Sequence, residues 1–447
     1  ASSTARRERR RNLALGVAAG ALLLLTEAVL SPVIVLALFV SSLTDSLLVV
    51  GLAPALGTAL WLVPQVLPRA LSAVWRSSRT VVLRSIVVRA GAIGLIGVLS
   101  FALDERAPTA LLVSFFILYA IATLAAGVGD RPLTDLALRA VFASDRGRLL
   151  SRRSLWGGVL SIGAGLLIQR ILGADGVFAG DFAPLFIVAF AALALVTAAF
   201  AQVHVPERGA AAAGAPPPEA EPRGQSGPTV QAIADTRLRQ FASFRWILAL
   251  SAIADPFYVV YAARALGAPA GVAGGYIVLM TLARLGSNLV WRPLAGRHGS
   301  RLVLQLAALA RLLMPVIALA LPPLLRWGPL ANRLSNDQVA LYSAFGLVFI
   351  AYGAALGAQT LASINYVVET SPPSRLGMIR LGNSGLGVIA LSPVVGGLVA
   401  DQLGLEFLFV LALLIDFAAV LLSGTLPETH MERDAVAHGP RRPNTIR

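Results

Sequence analysis

Acidic residues inside apolar runs are the first features of this chain able to do chemistry. Glu27 lies in ALLLLTEAVLSPVIVLALFV (21–40), and Asp255 lies in SAIADPFYVVY (251–261), where Pro256 is expected to break the helix. An ionised carboxylate at mid-bilayer costs about 2.5–3.5 kcal/mol on insertion scales, so each must be neutral, paired or facing a wet cavity. A carboxyl in such a place can take up and release a proton, or be a protonated or capped structural acid. The stretch GVGDRPLTD (127–135) adds two glycines and Pro132 beside Asp130 and Arg131. These breakers are expected to interrupt a long helix, and interrupted helices at mid-depth line cavities. An ion pair of Asp130 with Arg131 or Arg89 would leave the same trace in the sequence.

Three arginines also stand in apolar surroundings: Arg89, Arg284 and Arg311. A guanidinium grips an anionic solute through two parallel hydrogen bonds, or it neutralises Glu27, Asp130 and Asp255; both readings stay open. Tyr258 offers a hydroxyl to a solute or packs as an aromatic. The four His residues (His204, His298, His430, His438) fall in loops and tails, which argues against a His proton relay.

These groups need elements that hold them in a membrane. The chain has 447 residues, of which 57% are hydrophobic and 13% charged, with a mean hydropathy of +0.76. That is too apolar for a soluble domain and marks an integral membrane protein. Apolar runs fall at 13–40, 47–66, 81–103, 110–141, 155–172 and 182–201, and six more begin near Ile247, Val272, Leu302, Val339, Leu381 and Phe407. The expected fold is all-α, with about 12 transmembrane helices in two pseudo-symmetric six-helix bundles. Between them ERGAAAAGAPPPEAEPRGQSGPT (207–229) cannot bury enough surface to fold. The expected division is a tail at 1–11, a bundle at 12–205, a linker at 206–238, a second bundle at 239–428 and a tail at 429–447.

The net charge of +14 comes from arginine alone, spread between the runs rather than gathered on one face, so it speaks for topology and against nucleic acid. Basic clusters recur in every second loop: Arg6, Arg7 and Arg9–Arg11; Arg69, Arg76 and Arg79; Arg146, Arg148, Arg152 and Arg153; Arg292, Arg297 and Arg301; Arg375 and Arg380. The alternate loops carry Asp45, Asp104, Glu105, Asp175, Asp181, Asp401 and Glu406. By the positive-inside rule both termini are cytoplasmic, in a multi-pass protein of the plasma (inner) membrane. The first apolar run is too long for a cleaved signal peptide.

The halves look like copies. An offset of 222 relates Arg79 to Arg301 and Arg89 to Arg311, and ASDRGRLLSRRSLWGG aligns with PPSRLGMIRLGNSGLG, Arg146 on Arg375. That second alignment puts Gln359 opposite Asp130 and Asn365 one position past the partner of Asp135. The runs end alike, in VPE (205–207) and LPE (426–428). Parallel six-helix repeats around a central site are a transporter architecture.

With these motifs, the chain resembles the major facilitator superfamily from about Asn12 to Glu428. RPLAGRHGSR (292–301) is similar to the family's loop between helices 8 and 9, usually G-x-L-A-D-R-x-G-R-R, and SDRGRLLSRR to its loop between helices 4 and 5. Gly296 stands where the family has Asp, and Val74 takes that place in the first half. SPVVGG (392–397) resembles part of the antiporter motif, while GGVLSIGAG (157–165) lacks its proline.

The function these features suggest is secondary active transport of a small solute by alternating access, with proton coupling. The alternative is a transporter-like membrane protein that acts as a sensor or assembly partner without transport. Candidate substrate or proton-site residues are Glu27, Arg89, Asp130, Arg131, Asp255, Tyr258, Arg311, Gln359 and Asn365. A cytoplasmic gate is expected at Arg79, Asp135, Arg146, Arg297, Arg301 and Arg375. Without Lys or Cys there is neither a Walker lysine nor a thiolate site, and no metal or other cofactor is expected. An enzyme is not expected, and the partners are a solute and membrane lipid, around a monomer.

Overall fold

The computed structural model describes residues 3–66, 78–103, 106–141, 143–173, 178–203, 236–326, 338–369 and 386–427. Asp104, Arg375, most of the linker and the C-terminal tail lie outside them. All regular structure among the described residues is helical. The helices are α1 (Ser3–Val29), α2 (Val35–Leu43), α3 (Leu47–Val66), α4 (Ser78–Leu103), α5 (Pro108–Arg139), α6 (Arg146–Ile171), α7 (Ala183–Ala201), α8 (Thr236–Leu250), α9 (Asp255–Arg264), α10 (Val272–His298), α11 (Ser300–Arg326), α12 (Gln338–Glu369), α13 (Leu386–Ile389), α14 (Ser392–Leu403) and α15 (Leu405–Gly424). Eleven spans among the described residues are long and apolar enough to cross a bilayer. The twelfth apolar run is the pair α13 and α14, whose N-terminal part lies outside the described residues.

Two compact units emerge: Ala1–Leu43 with Leu56–Pro228, and Thr44–Ala55 with Thr229–Arg447. In the first, α4 packs on α5 and α7, and α1 on α6 and α7. Phe39 of α2 anchors its core, with ring centroids 5.0 Å from Phe115, 5.5 Å from Phe182 and 5.2 Å from Phe186. Tyr119 stacks on Phe115 at 5.4 Å, so this aromatic cluster sets the position of a hydroxyl one turn further along α5.

The first apolar run is not one helix. Ser31 precedes Pro32, a sequence that disfavours helical geometry, and α1 ends at Val29. The Ser31 carbonyl accepts from the amides of Ile34, Val35 and Leu36 at 3.3, 2.9 and 3.0 Å, so these donors are satisfied where water is scarce. α5, by contrast, runs unbroken through Pro132. Having no N–H, Pro132 removes the partner of the Val128 carbonyl, yet the turns on either side keep theirs and packing holds the helix together.

In the second unit α12 packs on α10 and α11, and α15 on α11. Only Gly299 separates α10 from α11; its φ of 80° is a conformation that side chains resist, so this tight reversal needs glycine. Asp401 at the end of α14 accepts from the amides of Leu47 and Leu48 at 2.7 and 3.0 Å and from the Ser46 hydroxyl at 2.9 Å, capping α3 from another helix.

The start of α1 is pinned by side chains. Arg9 bonds the buried carboxylate of Asp145, which also has Arg148 at 3.5 Å, and the Asn12 amide donates to the Ala140 carbonyl at 3.1 Å. The hydrogen bond from Arg9 holds the Asp145 carboxyl below the usual carboxylate range, against burial and with help from Arg148. A depressed folded-state value makes the contribution full above the unfolded value of about 3.9 and lost as pH falls through the folded one. The thermal midpoint of wild type should therefore exceed that of Asp145→Asn by a constant margin from neutrality to about pH 5, narrowing only below about pH 4. A margin that narrowed above pH 5 would contradict this assignment.

Candidate functional site

The first unit holds a cavity of about 460 Å³, walled by α1, α3, α4, α5 and α6. Glu27 comes from the last turn of α1, about 24 Å along the helix from Arg11, and is exposed to this space. Arg89 of α4 and Asp130 of α5, both half-buried, face it, with Arg153 of α6, Tyr119 and Trp61. Glu27, Tyr119 and Asp130 act electrostatically on Arg89, and Arg153, Arg131 and Arg89 act on Asp130. Two guanidinium groups and two carboxylates thus share one chamber, with an aromatic wall and the hydroxyls of Thr58 and Tyr119.

The glycines of the GVGD stretch explain how Asp130 reaches the chamber. A Cβ on Gly127 would stand 2.4 Å from the Trp61 carbonyl oxygen, and one on Gly129 would stand 2.2 Å from Ser85 Oγ. Bare backbone at both positions lets α5 lie directly against α3 and α4. Arg131 points elsewhere: it is exposed and donates to the Gln65 carbonyl at 3.2 Å.

Asp255 and Arg311 meet in the second unit. Pro256 fits the first turn of α9, preceded by a 3₁₀ turn at Ser251–Ala254 that puts Asp255 at a helix N-terminus, where a carboxylate is favoured. Arg311 donates to Asp255 Oδ1 and Ser251 Oγ, and the Tyr352 hydroxyl donates to Asp255 Oδ2 at 3.0 Å. The guanidinium carbon lies 5.5 Å from the centre of the Tyr352 ring. Asp416 of α15, which the sequence reading passed over, completes the cluster with Oδ1 3.8 Å from Arg311 Nε. Asp255, Arg311 and Asp416 are only 6%, 4% and 2% exposed, so this cluster is sealed where the first-unit chamber is open. Tyr258 is buried and stacks on Phe409 at 4.8 Å. On α12, Gln359 keeps a buried Nε2 without a hydrogen-bond partner among the described residues, and Asn365 is half-buried.

The arginines considered for a gate act on helix ends. Arg79, at the start of α4, donates to the Ala201 carbonyl that ends α7; Arg301, at the start of α11, donates to the Gly424 carbonyl that ends α15. The duplicated pair thus makes the same C-terminal contact in each unit. Arg146 donates to the Leu138 carbonyl at 3.4 Å, Asp135 pairs with Arg139 at 2.8 Å, and Arg297 is exposed in the last turn of α10.

Solved structures align over almost the whole chain. A bacterial homologue of the iron transporter ferroportin, in an inward-facing state, matches with a TM-score of 0.67 at 14% identity, covering 95% of this chain and 99% of its own. The nucleoside transporter NupG matches with a TM-score of 0.64 at 16% identity over 94% and 98%. The chain shares the fold of these transporters. The xylose transporter XylE from E. coli agrees, with a TM-score of 0.59 at 12% identity over 95% and 99%. A shared fold over almost the whole chain agrees with the all-helical architecture of the described residues. No protein-family model matches the sequence, and no curated protein matches it either.

Proposed function

We propose that this chain is a secondary active transporter of a small polar solute that is neutral or zwitterionic, moved by alternating access and coupled to protons. The observation that carries the reading is the first-unit chamber, where Glu27, Arg89 and Asp130 of apolar helices meet Arg153 from the start of α6. Such charges are costly in a bilayer and mark solute or ion pathways. Their formal sum is zero, which favours a solute without net charge, and a volume of about 460 Å³ is that of a small-molecule site. Proteins of the same fold named as transporters of nucleosides and of xylose carry solutes of this class, while another is named as a homologue of an iron transporter, so the solute class rests on the chamber. The arginine pattern supports a plasma (inner) membrane protein with cytoplasmic termini.

The test begins with thermal shifts of purified protein against nucleosides, pentoses, amino acids and dipeptides, since a ligand of the folded state raises its melting point. The ligand found is then followed into sealed proteoliposomes. Saturable uptake that is lost in Arg89→Ala is the expected result. Binding without flux would select the sensor or assembly reading. In cells, single cysteines at 207–229 should resist an impermeant reagent while cysteines at Asp104 or Glu406 react; the reverse would overturn the orientation.

A further inference from the structure

We propose that the groove between α1 and α6, on the side of α1 away from the chamber, binds a phospholipid of net negative charge from the leaflet that α1 enters first, with Arg152 holding its phosphate. The inference uses the geometry of the first unit alone and does not depend on transport. The groove has a volume of about 670 Å³ and is lined by α1 between Arg10 and Leu22 and by Arg152, Trp156 and Leu160 of α6. At about 100° per residue, Ala14, Val17, Ala18 and Ala21 stand on the side of α1 opposite Leu23, Thr26 and Glu27, which face the chamber. Arg152 and Arg153 part in the same way. Arg153 passes Gly20 and turns into the chamber, while Arg152 lines the groove.

The two helices run parallel, with Gly16 against Leu149 and Leu24 against Gly157, so the Arg152 backbone lies level with Ala19. Along α6 the groove meets Arg152, Trp156 and Leu160, each one turn deeper on the same face. That order is basic, then amphipathic, then apolar. It matches the phosphate, ester region and acyl chain of a lipid at a membrane surface, where tryptophan sits at headgroup level. Helical side chains lean toward the N-terminus, so the Arg152 guanidinium reaches back toward the headgroups while its stem covers apolar wall. On α1 the distance from Arg10 to Leu22 is about 18 Å, close to the roughly 15 Å of hydrocarbon in one leaflet. Charge selects the lipid. Arg10 and Arg152 are both exposed and neither has a hydrogen bond or ion pair among the described residues, whereas Arg9 is taken by Asp145. No carboxylate lines the groove. A net anionic headgroup neutralises these guanidinium groups, while a zwitterionic one brings an ammonium to the same place.

The test is fluorescence quenching of purified full-length protein in phosphatidylcholine vesicles that contain an increasing share of a lipid brominated on its acyl chains, because bromine quenches only tryptophans close to it. The signal of Trp156 is the difference between wild type and Trp156→Phe. Brominated phosphatidylglycerol should quench it at a membrane fraction at least about fivefold lower than brominated phosphatidylcholine, the preference expected of one arginine near the surface, and high salt should reduce the difference. Equal quenching of wild type by the two lipids overturns the proposal, and this comparison needs no arginine variant to fold. Arg10→Gln with Arg152→Gln should make the two lipids equivalent, and a folded double variant that keeps the preference overturns the assignment of these arginines. Quenching of Trp156 by neither lipid would give the groove to a protein partner or a second copy and also overturns the proposal. Glycerol phosphate in the buffer should leave the quenching unchanged; displacement of the lipid by it would make this a site for a free anion and overturn the lipid reading.

Discussion

Arg311→Ala is expected to lower the stability of the second unit by about 3–5 kcal/mol, the cost of leaving buried charge without its partner. The loss falls on several groups together. Asp255 keeps only the Tyr352 hydroxyl, Ser251 loses its donor, and Asp416 faces another carboxyl with no cation between them. Arg89→Ala, at the repeat-related position, should cost about 1 kcal/mol, because Arg89 borders an open chamber where solvent replaces what the side chain supplied. Its effect should appear as lost ligand binding instead. Thermal unfolding of the two variants in the same detergent measures the difference. Equal, small losses would mean that the second-unit cluster is more hydrated than its burial implies.

That contrast was beyond the sequence, although the arginines were not. Arg79 with Arg301 and Arg89 with Arg311 stand out because both pairs share one offset, and the first pair does make the same contact in each unit. A repeated position does not carry a repeated environment, however. Whether an arginine faces a chamber or a sealed cluster depends on residues far along the chain, Glu27, Asp130 and Arg153 for Arg89 and Ser251, Asp255, Tyr352 and Asp416 for Arg311. Asp416 had a visible signal, a lone acid in LLIDFAAVLL, the pattern that draws attention to Glu27. Arg153 had none. It stands in a basic loop cluster and reads as a topological charge, yet it lies against α1, where a Cβ on Gly20 would come within 2.4 Å of its Cδ. Only the missing side chain of Gly20 allows Arg153 to turn inward, and that pairing of distant residues has no local trace. The helices themselves were legible because hydropathy is local. The continuity of α5 through Pro132 was not, since neighbouring helices, rather than the proline, decide whether a helix of that length stays whole.

Glu27→Gln is expected to leave the protein folded and able to bind its solute while abolishing accumulation driven by a pH gradient. Glutamine matches the shape of glutamate and keeps a hydrogen-bonding carbonyl, but it neither takes up a proton nor carries charge. Folding should be spared because Glu27 is exposed to the chamber and no packing depends on its charge. Coupling should not be spared. Glu27 acts on Arg89 across the chamber, so each protonation of Glu27 changes how strongly that guanidinium is held. Without the titration, solute affinity no longer follows the pH of the side to which the chamber opens, and the gradient has no group through which to do work. Equilibrium exchange of solute across the liposome membrane should persist, because it needs the site and the conformational change but no net proton movement. The measurement is accumulation under an imposed pH gradient beside exchange without one, in the same proteoliposomes. Undiminished gradient-driven accumulation by Glu27→Gln would make Glu27 a structural acid and move the search for coupling to Asp130, the other carboxylate of the chamber, and to the Asp255 and Asp416 pair.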